Sequence, residues 1–333
     1  MRFLIVLFSL FTFSGLLTAQ KSQQEIYTLA ERSSDFSYDQ LLDYTEAKLT
    51  DKEDIARFFY YWIGQNIEYD LTVDAFELNQ PHYAQKTQPL FVFEARKATC
   101  LGFTNLYRSF LEYFDITHKS IIGYTRQASN ILQNINPVLD HIWSAIHFDD
   151  QWHLVDVTWA FANVKTPVSR DHYFMTPPQV FRNDHLPLDD EWFLDGQKLS
   201  LEDFKKQPFI NPFYYGVAKG ADIEPVMEVN EAGETVLYFP LLKGWRFSLS
   251  AVNQKNEKTV KLKYKMKRGK DDIQFTLKNY EPGTVLRLDA TRKEVNGLFS
   301  SYQGLAFLRH TDWQAESKAP FLQFSTKQQR FKK

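Results

Sequence analysis

The stretch from Cys100 to Phe114 constrains this chain more than any other. Phe103, Leu106, Tyr107, Phe110, Leu111 and Phe114 recur at steps of three, one, three, one and three, the spacing that lines one face of an α-helix. Six large side chains on one stripe need a broad apolar surface opposite them. The helix is therefore an inner element of a sizeable core. Cys100 lies three residues ahead of Phe103 on the same stripe, in the first turn. It is the only cysteine in 333 residues, so an intramolecular disulfide is excluded and stability has to come from packing. A composition that is 44% hydrophobic and 16% aromatic supplies the material.

The chain starts with a short positive segment, Met1-Arg2, followed by an apolar run from Phe3 to Leu17 and by Thr18-Ala19-Gln20. This is the form of a secretory signal peptide, with cleavage expected after Ala19. The apolar run is shorter than the roughly 20 residues a membrane span needs; the alternative is an uncleaved anchor. No cysteine near the cut offers a lipid attachment point, and no later run is long and apolar enough to span. The expectation is an exported, periplasmic or extracellular protein with no integral span in its mature chain. Its remaining length suits two domains. A formal charge of −2 argues against a nucleic-acid partner. In an exported protein an unpaired thiol is open to oxidation. That favours chemistry over the alternative, an inert buried thiol.

Residues 20–50 read as helical with polar breaks. Thr50-Asp51-Lys52-Glu53 reads as a capping box with Thr50 at the N-cap, opening a helix with Ile55, Phe58, Phe59, Trp62 and Ile63 on its inner side and an end near 64–66. Residues 71–92, with Pro81 and Pro89 and no period, read as a long loop bordering a cleft. Lys119–Tyr124 reads as a strand and 126–137 as a polar loop. His141–Phe148 and Gln151–Val157, joined by Asp149-Asp150, form a hairpin signal. With a two-residue turn Trp143 faces Asp156, and His141, on the same face, is a diagonal neighbour of Asp156. His153 points the other way, and His147 is roughly 13 Å along the ladder. Register thus selects His141 among the three local histidines.

Residues 171–208 are dense in proline, histidine and aromatics and are expected to wrap around the first unit. From about 213 onward the texture changes to short β-type runs: Thr235–Phe239, Trp245–Ala251, Thr259–Met266, Ile273–Leu277 and Val285–Asp289. Polar turns separate them, as in a small β-sandwich. Ser325–Lys333 is a polar, basic tail. The expected division is 1–19 signal peptide, 20–210 first domain, 211–325 β-sandwich-like domain and 326–333 tail.

A thiol at a helix start, with a histidine and an aspartate downstream, is the layout of a cysteine nucleophile, its base and its orienter. The thiolate is the attacking species. Unpaired N–H groups at the helix start, an imidazolium partner, and Arg96 and Lys97 nearby all favour it. The backbone N–H of Cys100 is a natural oxyanion donor. Trp62 offers an indole N–H as a second donor or is simply core. A zinc site would need more cysteines at ligand spacing, and His141 and His147 are about 20 Å apart on a strand. No glycine-rich phosphate loop and no paired carboxylates of glycosidase type occur. No cofactor or metal is expected.

These segments resemble a known family. Arg96-Lys97-Ala98-Thr99-Cys100-Leu101-Gly102-Phe103 is similar to the nucleophile segment of the transglutaminase-like superfamily. Asp140-His141-Ile142-Trp143 resembles its Asn-His-Ala-Trp segment, and Trp152–Trp159 its strand carrying the aspartate. Trp62–Asp70, Asp171–Pro178 and Asp184-His185-Leu186-Pro187 resemble the kyphoscoliosis-peptidase-like branch. The resemblance implies an α+β, papain/transglutaminase-like core, a cysteine-bearing helix packed on an antiparallel sheet, followed by the smaller β-domain. It implies Cys100 as nucleophile, His141 as base and Asp156 as orienter in acyl transfer at a peptide or glutamine amide: hydrolysis, deamidation or crosslinking. Asp140 stands where the family has Asn, and a carboxylate there favours imidazolium. The partner implied is a protein or peptide substrate, with a further protein partner open to the β-domain. The alternative is a binding or scaffolding protein that keeps the fold without turnover.

Overall fold

Two serines open the first helices. Ser22 and Ser37 each accept from the backbone N–H three residues on, and Glu25 and Gln40 reach back in complete capping boxes. They start α1 (Gln23–Arg32) and α2 (Tyr38–Lys48) in the computed structural model. It describes residues 20–73, 83–133, 135–162, 171–212, 214, 226–229, 234–242, 244–252, 259–277, 285–293 and 299–309. The expected signal peptide and basic tail lie outside these residues.

The next helix, α3 (Lys52–Asn66), is capped by Asp51, whose carboxylate accepts from the N–H of Asp54. The cap is one residue later than expected, because a carboxylate displaces the Thr50 hydroxyl from that role. The expected loop over 71–92 is instead helical at 83–86 and again from Pro89, with a turn at 87–88 between. After α4 (Tyr83–Lys86), α5 (Pro89–Ala95) starts on Pro89 at its first position, where a fixed φ and a missing N–H cost nothing. It ends on Arg96 in the left-handed region, φ 55°. The cysteine helix is α6 (Cys100–Tyr113), and its whole apolar stripe is buried down to Leu111. Phe59 of α3 stacks on Phe110 of α6 with ring centroids 4.1 Å apart, and Trp62 stacks on Phe93 at 5.0 Å.

This helical layer covers a five-stranded antiparallel sheet. In spatial order its strands are β6 (Phe174–Thr176), β5 (Gln151–Val155), β4 (Val138–Phe148), β3 (His118–Thr125) and β7 (His185–Pro187). The β4–β5 turn is Asp149-Asp150, both with positive φ, as a two-residue hairpin requires. Phe148 pairs with Gln151 and Ser144 with Val155, which is the anticipated register. Residues 128–133, expected as loop, form the short α7 (Ala128–Gln133). The 171–208 segment contributes both edge strands of this sheet, so it does not merely wrap the unit. It also forms α9 (Pro178–Phe181) and α10 (Leu201–Lys206). The two-residue strands β1 (Glu68–Tyr69) and β2 (Lys97–Ala98) pair in parallel beside the start of α6.

Among the described residues from 226 onward every element is a β-strand. One sheet runs β13 (Tyr264–Arg268), β14 (Asp272–Leu277), β10 (Thr235–Pro240), β9 (Val226–Val229). The other runs β12 (Thr259–Lys261), β11 (Trp245–Val252), β15 (Val285–Lys293), β16 (Phe299–Arg309), β8 (Phe209–Ile210). Leu237, Phe239 and Phe275 of the first share one core with Phe247, Leu249, Leu286 and Leu288 of the second, a sandwich arrangement. The expected run 259–266 is in fact two strands, one in each sheet. Phe209–Ile210 belong to this second sheet.

Candidate active site

Cys100 opens α6 and is partly exposed. Its N-cap residue, Thr99, makes no side-chain cap. The Thr99 hydroxyl instead hydrogen-bonds with the Tyr83 phenol. The first-turn N–H groups of α6 are thus left without a side-chain acceptor, partial positive charge aimed at the thiol. Gly102 allows the helix to seat here: a Cβ at that position would come within 2.6 Å of the Ala98 Cβ. Arg96 and Lys97 do not serve the thiol as expected. The Arg96 guanidinium lies over the rings of Phe93 and Trp62, and Lys97 pairs with Asp70 at 3.0 Å.

The Cys100 thiol lies 3.8 Å from the carbonyl oxygen of Asp140, and the Thr104 hydroxyl donates to Ile142 O at 3.2 Å. These contacts clamp α6 against β4. The β3–β4 ladder pairs Gly123 with His141 and Tyr124 with Leu139, leaving Asp140 as an extra residue. A bulge of this kind re-aims the neighbouring side chain. His141 is buried between the rings of Trp143 and Trp159.

Asp156 does not continue β5. Its Oδ1 accepts from the N–H of Thr158 at 2.8 Å and of Trp159 at 3.0 Å, so it caps α8 (Val157–Ala162) and ends the strand at Val155. The expected strand through Val157 is corrected for that reason: the carboxylate stabilises a helix start in place of a ladder. The other oxygen, Oδ2, is 2.7 Å from His141 Nε2. Asp156 is fully buried.

Burial would lower the His141 pKa, but the Asp156 charge and hydrogen bond, with a smaller contribution from Cys100, outweigh it and raise the value to about 10. Burial would likewise raise Asp156, and the His141 charge reverses this, leaving it well below the usual carboxylate range. The Asp156 charge and hydrogen bond therefore favour the imidazolium form of the ring. The carboxylate chiefly responsible is Asp156; the Asp140 side chain is exposed.

Trp62 is core: its indole N–H donates to Ser33 O at 3.1 Å. A different hydroxyl is close enough to Cys100 to respond to its charge. Tyr69, opposite Ala98 in the β1–β2 pair, has its phenol pKa raised to about 12, by burial first and then by Cys100, Tyr83 and the acidic groups beyond. It stays protonated and can donate.

Sequence reasoning did not assign His185. Its Nε2 lies 2.9 Å from the same Asp156 Oδ2, and its Nδ1 lies 2.7 Å from Asp184 Oδ1. One atom each from His141, Asp156 and His185 falls within 4.8 Å of the others, a donor set of metal-binding type. The 2.7 and 2.9 Å contacts are hydrogen-bond distances, however. Ligands held at about 2.0–2.1 Å around tetrahedral zinc sit roughly 3.4 Å apart. The cluster is arranged to share protons.

A family model described as the transglutaminase-like superfamily matches residues 39–157, the span from α2 to the first residue of α8. Residues 39–157 thus carry a transglutaminase-like domain. The relatives it matches include kyphoscoliosis peptidases. The Kyphoscoliosis peptidase of Mus musculus is 28% identical over 167 residues, covering 48% of this chain and 24% of the relative. That of Homo sapiens is 28% identical over 173 residues, covering 50% and 25%. The Lim and transglutaminase domain protein ltd-1 of Caenorhabditis elegans is 23% identical over 227 residues, covering 58% and 30%. The match spans about a quarter of the length of the two peptidases. The transglutaminase-like domain contains all three residues expected for the site: Cys100 and His141 are brought together, and His141 and Asp156 are hydrogen-bonded.

Proposed function

We propose that the protein is an exported cysteine acyl-transfer enzyme acting on peptide or glutamine amides through Cys100, His141 and Asp156. The observation that carries the reading is the His141 ring, held at Nε2 by buried Asp156 and influenced by the Cys100 thiol. With Nε2 engaged, Nδ1 is the nitrogen that exchanges a proton with the thiol. The Sγ proton moves to Nδ1, and the thiolate adds to the amide carbon. The negative oxygen is met by the Cys100 N–H and the Tyr69 phenol. The amine leaves with the proton from His141, and the thioester passes to water or to a second amine. Asp156 keeps the imidazolium aligned throughout. The raised His141 pKa favours the imidazolium that this transfer creates.

Intact-mass analysis after incubation with a library of electrophilic peptides tests the assignment. A single adduct on Cys100, lost in Cys100→Ser and suppressed in His141→Ala, is the expected result. No adduct on Cys100, together with capture of an unmodified protein partner, supports the non-catalytic scaffold instead. Export is tested by fractionating cells that express the full chain: the mature form is expected outside the cytoplasm, with a new terminus at Gln20.

A further inference from the structure

The proposed mechanism uses one edge of Asp156. Its Oδ2 is shared with a second imidazole that approaches no reacting atom. His185, on edge strand β7, is fully buried among Phe181, Trp159, Trp143 and Tyr173, with ring centroids 4.2, 4.7, 5.1 and 5.6 Å away. Both its nitrogens meet carboxylate oxygens, Asp156 Oδ2 at 2.9 Å and Asp184 Oδ1 at 2.7 Å. Asp184 is itself buried, and its Oδ2 accepts from the Tyr173 hydroxyl at 2.7 Å. An ionised carboxylate is an acceptor only, and a neutral imidazole has one N–H. Two carboxylates at hydrogen-bond distance from one ring therefore require both nitrogens to donate. Burial opposes the charge on His185, and Asp184 with the bonds from both carboxylates outweighs it, moving the pKa upward.

The other titratable or charged groups facing this ring are His141, 5.6 Å away between centroids, His172, held neutral by burial, and the Tyr173 phenol. Arg126 stands behind Asp184, its guanidinium on Asn183 O at 2.7 Å and its own N–H on Asp184 O at 3.0 Å. Gly123 makes the approach of β7 possible. It pairs with both His141 and Pro187, and a Cβ there would come within 2.2 Å of Leu186 O.

We propose that Asp184 and His185 form a second carboxylate–imidazolium pair behind Asp156, with His185 permanently charged, fixing Oδ2 on His141 and acting as positioning residues of the site. This rests on the acyl-transfer reading only for its consequence; the charge state of His185 stands on the hydrogen-bond geometry. His185 then anchors the one oxygen of Asp156 that orients the base, while the α8 cap anchors the other.

Ring 15N spectroscopy of the histidine-labelled full chain tests it. Both His185 nitrogens are expected to be protonated at pH 7.5, and Asp184→Asn is expected to return the ring to a single proton. His185→Gln, which keeps an amide donor for Asp156, should retain most of the Cys100 alkylation rate at pH 7. His185→Leu should lose about 10- to 100-fold, the equivalent of one charge-assisted hydrogen bond. In His185→Gln the His141 ring should still carry both protons at pH 9. A singly protonated His185 in the wild type overturns the proposal, whether or not the variants fold; so does equal loss in the Gln and Leu variants. If His141→Ala leaves alkylation unchanged in the wild-type background, the acyl-transfer reading fails while the His185 spectrum still decides this one.

Discussion

Replacing Asp156 by asparagine separates its two jobs. The amide oxygen can keep the two backbone bonds that cap α8, at 2.8 and 3.0 Å. The amide nitrogen then points at His141 Nε2 and His185 Nε2, donor against donor, where the carboxylate accepted at 2.7 and 2.9 Å. Removing one partner of a buried charged pair costs about 3–5 kcal/mol. The His141 shift from 6.5 to about 10 is worth about 5 kcal/mol at 1.36 kcal/mol per pH unit, so two routes meet at the same order. The pH dependence has a fixed sign. The contribution of a raised histidine is full below its unfolded value, about 6.5, and is lost as pH rises through about 10. The contribution of a depressed aspartate is full above its unfolded value, about 3.9, and is lost as pH falls toward the folded one. Urea unfolding of wild type and Asp156→Asn should therefore differ most between about pH 4 and 6.5. The gap should narrow toward pH 10 and at strong acid. A difference below about 1 kcal/mol at pH 6, or one that does not vary with pH, refutes the reasoning.

Gly123→Ala should lower stability by at least about 1–3 kcal/mol, because the new methyl meets Leu186 O and, at 2.3 Å, the Trp143 ring; chemical denaturation checks it, and the same variant should slow Cys100 alkylation by displacing β7. Tyr69→Phe should leave that alkylation rate unchanged, since no oxyanion forms, while turnover of an amide substrate falls by about 10²–10³; equal effects on both would remove Tyr69 from the oxyanion role.

The hairpin and the helix stripe were legible for physical reasons. A period of three and four residues and a period of two each fix which side chains share a face, and the Asp149-Asp150 turn sets register without help from distant parts of the chain. That was enough to bring His141 to Asp156. Short elements held by tertiary contacts were not legible. Residues 71–92 read as loop because the four- and seven-residue helices at 83–86 and 89–95 carry little periodicity, although Pro89 at a first helical position was a usable sign. Thr50 and Asp51 are both good caps, and only packing decides between them. His185 escaped because its place depends on sheet order: β7 lies beside β3, and nothing within 171–208 shows that neighbour. The Asp184-His185 dipeptide, an acid and a base side by side before Leu-Pro, was the available signal.

The account turns on whether Cys100 and His141 act as one unit. The direct measurement is the rate of iodoacetamide labelling of Cys100 from pH 5 to 9, in the wild type and in His141→Ala. The account predicts labelling at pH 6.5 well above that of an ordinary thiol, and a loss of at least about tenfold at that pH in His141→Ala. Labelling no faster than an ordinary thiol, and indifferent to His141, would contradict it.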